Sequence, residues 1–269
     1  MEGALQVPII DLSSIDLSDS LKKACIENGY FYLINHEVEG DLIRRVFDGS
    51  RGFFDLSIGE KMKVLRKNHR GYTPFYDEKL DLVDNPKGDP KESIYFGAPE
   101  DISPYGNLNQ WPTEEILPCW RSTMEEYYRV ILNLGKRVLS LIALALNVNE
   151  DFFEKVGAFN PPGALLRPMH YPVADEINYC DQYMHGCGAH TDYGMITILI
   201  TDGVPGLQVA MFFDPSPDCV VECLKSCCSE SPPPRFPPVR VADYLKEHYI
   251  WLPVNMCNKN ITEEEMRTG

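Results

Sequence analysis

The chain has 269 residues, enough to bury a sizeable core as one large domain or two smaller ones. Lys plus Arg number 25 against 40 for Asp plus Glu, a net charge of −15. That balance leaves no basic stripe to release counterions from a phosphate backbone, so nucleic acid is excluded as a partner. The longest apolar run, Val138 to Val148, is too short to cross a bilayer, and the acidic start Met1-Glu2-Gly3-Ala4 lacks the order of a signal peptide. Nine cysteines without an even framework point to free thiols in a reducing compartment, and the expected location is the cytoplasm.

The first third alternates strands and helices. Val7-Pro8-Ile9-Ile10-Asp11-Leu12 reads as a short apolar strand. Ser18 to Asn28 sets Leu21, Ala24 and Cys25 on one helical face, with Gly29 as the stop. Tyr30 to Ile34 is aromatic and apolar and reads as a buried strand. Ser57 and Glu60 form a capping box that opens a further helix.

After Pro118 the apolar positions Trp120, Met124, Tyr127, Ile131, Leu134, Val138, Leu141 and Ala145 recur at steps of four and three. That period predicts one long helix with a continuous apolar stripe, ending near Asn147, a packing spine and not a ligand box. Beyond Asn160-Pro161-Pro162-Gly163 the texture becomes β-rich. Strands are predicted at Leu165–Tyr171, Met195–Thr201, Leu207–Phe213 and Cys219–Glu222. From Ser229 the prolines at 232, 233, 234, 237 and 238 predict an irregular arm.

His190-Thr191-Asp192 is the triplet with most chemical promise. On an extended strand, residues two apart project to one face, so an imidazole nitrogen and a carboxylate oxygen would converge on one point. Two histidines and one carboxylate on one face of iron leave positions open for a chelating co-substrate and dioxygen. Alone the triplet is a weak signal, and the bland alternative is a strand-end histidine bonded to a carbonyl. The cysteines 219, 223, 227 and 228 lack the paired Cys-x-x-Cys spacing of a zinc knuckle, and free thiols are the default there.

The surroundings raise the odds. Gly186-Cys187-Gly188-Ala189-His190-Thr191-Asp192-Tyr193-Gly194, the apolar Met195–Leu199 and then Gly206-Leu207-Gln208-Val209 resemble the metal strand of the plant-type 2-oxoglutarate/Fe(II)-dependent dioxygenases, the isopenicillin N synthase-like family. Leu166-Arg167-Pro168-Met169-His170-Tyr171-Pro172 resembles that family's co-substrate strand, with Met169 where asparagine is usual. Val7–Leu12 and Gly29–His36 resemble its N-terminal domain, in which the position of His36 is structural. The resemblance implies an α+β fold, a double-stranded β-helix (jelly roll) packed on helices with an α/β N-terminal domain. It implies Fe(II) held by His190 and Asp192, 2-oxoglutarate contacted by Tyr171, a small organic substrate, and ascorbate as an assay requirement. The expected segments are 5–112 (N-terminal domain), 113–160 (helical spine), 161–240 (jelly roll) and 241–269 (divergent tail). The residues around Arg70-Gly71-Tyr72 and Phe96 are expected to line the substrate pocket, without specifying the substrate or the oligomeric state.

The family pattern then breaks. A distal histidine ligand and an Arg-x-Ser clamp for the far carboxylate of 2-oxoglutarate should follow Gly-Leu-Gln, a task suited to a bidentate guanidinium. Here Val209 runs straight into Ala210-Met211-Phe212-Phe213-Asp214-Pro215, which resembles the strand after that clamp, and no Arg-x-Ser occurs beyond His190. A jelly roll needs about eight strands, and fewer can be found after Pro162, so the barrel is expected to be truncated. His248, the last histidine, sits in Leu245–Tyr249, which reads as a short helix, and is a poor candidate for the third ligand. Three readings stay open: an oxygenase impaired by the loss, a non-catalytic binding or regulatory variant, and an unstable splice product.

Overall fold

The structure, a computed structural model, describes residues 6–15, 17–79, 87–100, 102–103, 106–172, 186–187, 190–203, 206–228 and 233–251, with the backbone alone at 102–103, 106–107 and 248–251. Strand β1 (Ile9–Asp11) pairs in parallel with β2 (Tyr32–Ile34) across helix α1 (Leu17–Glu27), whose Leu21 and Ala24 are buried. The stretch 30–34 is not the buried strand its composition suggests. Tyr32 is 64 % exposed, because β2 has β1 as its one strand neighbour among the described residues. Helix α2 (Gly40–Phe54) follows, then α3 (Ile58–Lys63). Ser57 caps α3 as expected, its hydroxyl accepting from the Glu60 amide.

The central element is a five-stranded sheet. It is built from β3 (Gly71–Thr73), β4 (Glu92–Tyr95), β7 (Leu165–His170), β9 (Leu207–Phe213) and β8 (Ile196–Thr201), in the order β3-β4-β7-β9-β8 and antiparallel throughout. The short ribbon of β5 (Ile102–Ser103) and β6 (Gly106–Asn107) lies between β4 and helix α4 in the chain. Two sheet strands come from residues 71–95 and three from residues 165–213, so the sheet joins distant parts of the sequence.

Register assigns the two faces, since paired residues project to the same side. Tyr72, Ile94, Leu166, Leu207, Val209, Met211 and Phe213 are buried in the main core with α4 (Trp120–Ala145) and α2. Helix α4 is the predicted spine: Trp120, Met124, Tyr127, Ile131, Leu134, Val138 and Ala145 are buried and Leu141 is half-buried, and the helix ends at Ala145, with Leu146 as its C-cap, just before Asn147. Its approach to the sheet requires Gly135, where a Cβ would lie 2.1 Å from the Phe213 ring. Phe53 stacks on Trp120 at 4.9 Å between α2 and α4.

The other face carries Ser93, Arg167, Met169, Gln208, Ala210, Thr197, Leu199 and Thr201. In a closed jelly roll this face would be covered by a second sheet. Among the described residues no second large sheet faces it, and Leu199 is 52 % exposed. Among the described residues strand β8 is also an edge, and beside it runs a groove of about 750 Å³ floored by Tyr127, Ile131 and Val138 of α4. An uncharged edge of this kind is a template for pairing with other chains. Leu199→Lys is therefore expected to reduce light scattering on concentration, while changing the urea midpoint by no more than the equivalent of about 0.5 kcal/mol.

The chain closes with β10 (Val220–Val221) paired to β11 (Val239–Arg240), then α6 (Val241–Trp251), which contains the predicted helical stretch around Leu245. A four-residue helix, α5 (Phe152–Lys155), lies between α4 and β7. Residues 233–238 of the proline arm form neither helix nor strand, while 229–232 and the tail from 252 lie outside the described residues. No helix among the described residues is long and apolar enough to cross a membrane.

Candidate active site

His190 and Asp192 do not lie on a strand. They occupy the extended connection that leads into β8, which begins only at Ile196. The two groups converge nevertheless: His190 Nε2 lies 3.4 Å from Asp192 Oδ1, with side chains 40 % and 38 % exposed. The Thr197 hydroxyl donates to the other oxygen, Asp192 Oδ2, which places the carboxylate over the face of the sheet that carries Arg167 and Ala210. Gly194 lets this connection pass close to the end of β9, since a Cβ there would meet the Phe213 carbonyl oxygen at 2.8 Å.

The electrostatics follow from these neighbours. The hydrogen bond from His190 holds the Asp192 carboxyl below its usual range, with Thr197 adding to the effect. Asp214 moves the other way, to about 6, because it is buried and the Asp192 charge is close. An anionic carboxylate and an imidazole 3.4 Å apart, both partly exposed, are groups of the kind that could hold a divalent transition metal. Among the described residues no group of three or more His, Cys, Asp or Glu is arranged around one point.

Among the described residues no other histidine side chain completes the set. His170, on β7, contacts Glu92 Oε1 through Nδ1 at 2.9 Å; Glu92 also receives Lys61 and the Tyr72 hydroxyl, on the core side of the sheet. His36 lines the β8 groove. His185 and the His248 side chain lie outside the described residues. Tyr171 immediately follows β7; burial pushes its phenol up, and its hydroxyl lies 3.8 Å from Met169 Sδ. Tyr72 and Phe96, expected from sequence to line a substrate pocket, are instead packed in the core, 0 % and 2 % exposed. The alternation of β3 and the bridge from Phe96 to Leu166 turn both rings away from the site.

Sequence reasoning missed a buried ionic network beneath this face. Glu78 pairs with Arg167, accepts from the Tyr95 hydroxyl at 2.7 Å and lies 3.4 Å from Lys91. Lys91 also donates to Asp89 at 2.7 Å and to Cys187 Sγ at 3.1 Å. Arg167 lies over the Tyr95 ring at 4.4 Å and donates to Ser93. Burial alone would raise the Glu78 carboxyl, but the charges of Arg167 and Lys91 hold it at about 2. The only hint in the sequence was the run Asp89-Pro90-Lys91-Glu92 entering an apolar strand.

Comparison with known proteins gives these residues a context. Residues 7–114 match the family described as "non-haem dioxygenase in morphine synthesis N-terminal". The chain is 28 % identical to azadirone synthase LFS of Melia azedarach, over 96 % of each chain. It is 30 % identical to the 2-oxoglutarate-Fe(II) type oxidoreductase hxnY of Emericella nidulans, over 90 % of this chain and 89 % of that one. A 2OG-Fe(II) oxygenase family protein from Caulobacter crescentus superimposes with a TM-score of 0.74 at 20 % identity, covering 91 % and 98 % of the two chains, a likeness of fold.

The alignment lengths expose the shortening. Against azadirone synthase LFS, 96 % of 269 residues, about 258, are spread over 323 aligned positions, so about 65 positions have no residue here. Matching the N-terminal family, and 30 % identical to hxnY over nine-tenths of its length, the chain belongs to the 2-oxoglutarate/Fe(II)-dependent oxygenase family.

Proposed function

We propose that His190 and Asp192 are the two retained Fe(II) ligands, that Tyr171 contacts 2-oxoglutarate, and that turnover of a small organic substrate is strongly impaired in this shortened chain. The observation that carries this reading is the 3.4 Å approach of His190 Nε2 to Asp192 Oδ1 with no third protein donor beside them among the described residues. Bound iron would supply the dioxygen chemistry, with 2-oxoglutarate as the electron source. The chain's own part is narrower. His190 offers a neutral nitrogen. Asp192, held ionised by His190 and Thr197, offers a charge. The Tyr171 hydroxyl, in a half-buried position at the end of β7, offers a hydrogen bond to a co-substrate carboxylate.

Two losses argue for impairment. A two-ligand site holds a divalent ion less firmly than three. Removing the guanidinium partner of a buried, hydrogen-bonded co-substrate carboxylate costs about 2–5 kcal/mol, because the remaining charge is left unpaired. The purified protein with Fe(II), 2-oxoglutarate and ascorbate is therefore expected to release succinate at least about 100-fold more slowly than an intact relative, which corresponds to about 2.7 kcal/mol. Succinate release matching that relative would refute impairment. Loss of Co(II) binding in His190→Ala and Asp192→Ala, measured by titration, tests the ligand assignment. The competing reading, a non-catalytic binding protein, gains ground if neither metal nor 2-oxoglutarate shifts the melting curve of a cooperatively folded monomer.

A further inference from the structure

We infer that Cys187, anchored by Lys91, is a positioning residue that orients the His190 ring toward Asp192. The inference rests on the reading of His190 as a metal ligand and adds a residue to it. Cys187 Sγ lies 3.7 Å from His190 Nδ1, while the opposite nitrogen, Nε2, faces Asp192. The ring is thus held from both edges. A histidine that binds metal through Nε2 must carry its proton on Nδ1, and the group that accepts this proton fixes the tautomer and the ring plane. Carboxylates or carbonyls usually serve; with a metal on Nε2, the group placed to accept the Nδ1 proton would be the Cys187 sulfur.

Cys187 is itself fixed by a buried donor. An ammonium has three N–H groups, and in a buried position each needs an acceptor. Lys91 is 3 % exposed, and its Nζ has Asp89 Oδ2 at 2.7 Å, Glu78 Oε2 at 3.4 Å and Cys187 Sγ at 3.1 Å. Asp89 and Glu78 are themselves buried, and Glu78, through Arg167 of β7 and Tyr95 of β4, ties Lys91 to the central sheet. The third N–H therefore reaches out of that network to the connection bearing His190. Sheet, lysine, sulfur and imidazole form one line of contacts, which carries the rigidity of β4 to a group that lies on no strand of its own.

The experiment uses Co(II) alone as the probe, with the full chain, Cys187→Ala, Cys187→Ser and His190→Ala, each checked by thermal melting. Binding is read by calorimetric titration and by the visible absorption of the bound ion. The His190 ring is followed by ¹⁵N NMR without metal. Cys187→Ala is expected to weaken Co(II) binding at least about tenfold, the loss typical of an outer-shell partner of a ligating histidine. It should also alter the ¹⁵N shifts of the ring while leaving the melting temperature in place. Cys187→Ser, which keeps an acceptor, is expected to restore binding to within about threefold of wild type. Unchanged affinity and ring shifts in Cys187→Ala would overturn the inference and leave the His190–Asp192 site standing. Equal loss in both cysteine variants would also overturn it. A wild type that binds Co(II) no better than His190→Ala would instead refute the metal-site reading, and this inference with it.

Discussion

Glu78→Gln is expected to destabilise the chain by about 3–5 kcal/mol, read from urea unfolding at neutral pH. The substitution keeps the shape of the side chain and removes the charge on which Arg167, Lys91 and Arg66 converge, leaving Arg167 and Lys91 buried with Asp89 still paired to Lys91. Breaking one member of a buried set costs more than the set contributes, because the desolvated partners cannot return to water. The same group predicts a pH dependence. Its folded value of about 2 lies below an unfolded value near 4.5, so its stabilisation is complete above pH 4.5 and is lost as pH falls toward 2. A shift of that size corresponds to about 3 kcal/mol. The difference in stability between wild type and Glu78→Gln should therefore shrink through that window. A difference that stays constant from pH 5 to pH 2.5 would show that the carboxylate's charge does not contribute.

Phe213→Ala is expected to cost about 3–5 kcal/mol in the same measurement. Phe213 is 1 % exposed, ends β9 and packs its ring where Gly135 leaves room on α4. The pair should also be coupled. Gly135→Ala alone forces a methyl against the ring and is expected to destabilise by about 1–3 kcal/mol despite the better helix propensity of alanine. In a Phe213→Leu background the same change should be close to neutral. Additive effects in the double-mutant cycle would show that the helix and sheet can separate at this contact, and that the close packing of spine on sheet is not what holds them.

Parts of this architecture could be read directly from residues. The spine α4 was legible because steps of four and three over 26 residues admit one periodicity. Strands β7, β8 and β9 were legible because apolar runs stood between turn residues. Strands β3 and β4 were not: Lys91, Glu92 and Ser93 look like a polar loop, and only their partners across the sheet explain their burial. Helix α2 was hidden in the same way, since its apolar face, Leu42, Val46, Phe47, Phe53 and Phe54, is interrupted by Gly49 and Gly52.

The sequence by itself determined the family motif, the identity of the two candidate ligands and the absence of Arg-x-Ser after His190, because these are statements about residue order. Only the tertiary structure decided that His190 and Asp192 meet outside any strand, that Tyr72 and Phe96 face the core, and that Glu78, Lys91 and Arg167 form one ionic cluster under the site. The physical reason is range. Spacing along a chain reports which groups share a face over a few residues. A buried charge is stabilised by partners as far away as the 89 positions between Glu78 and Arg167, and no local pattern records them.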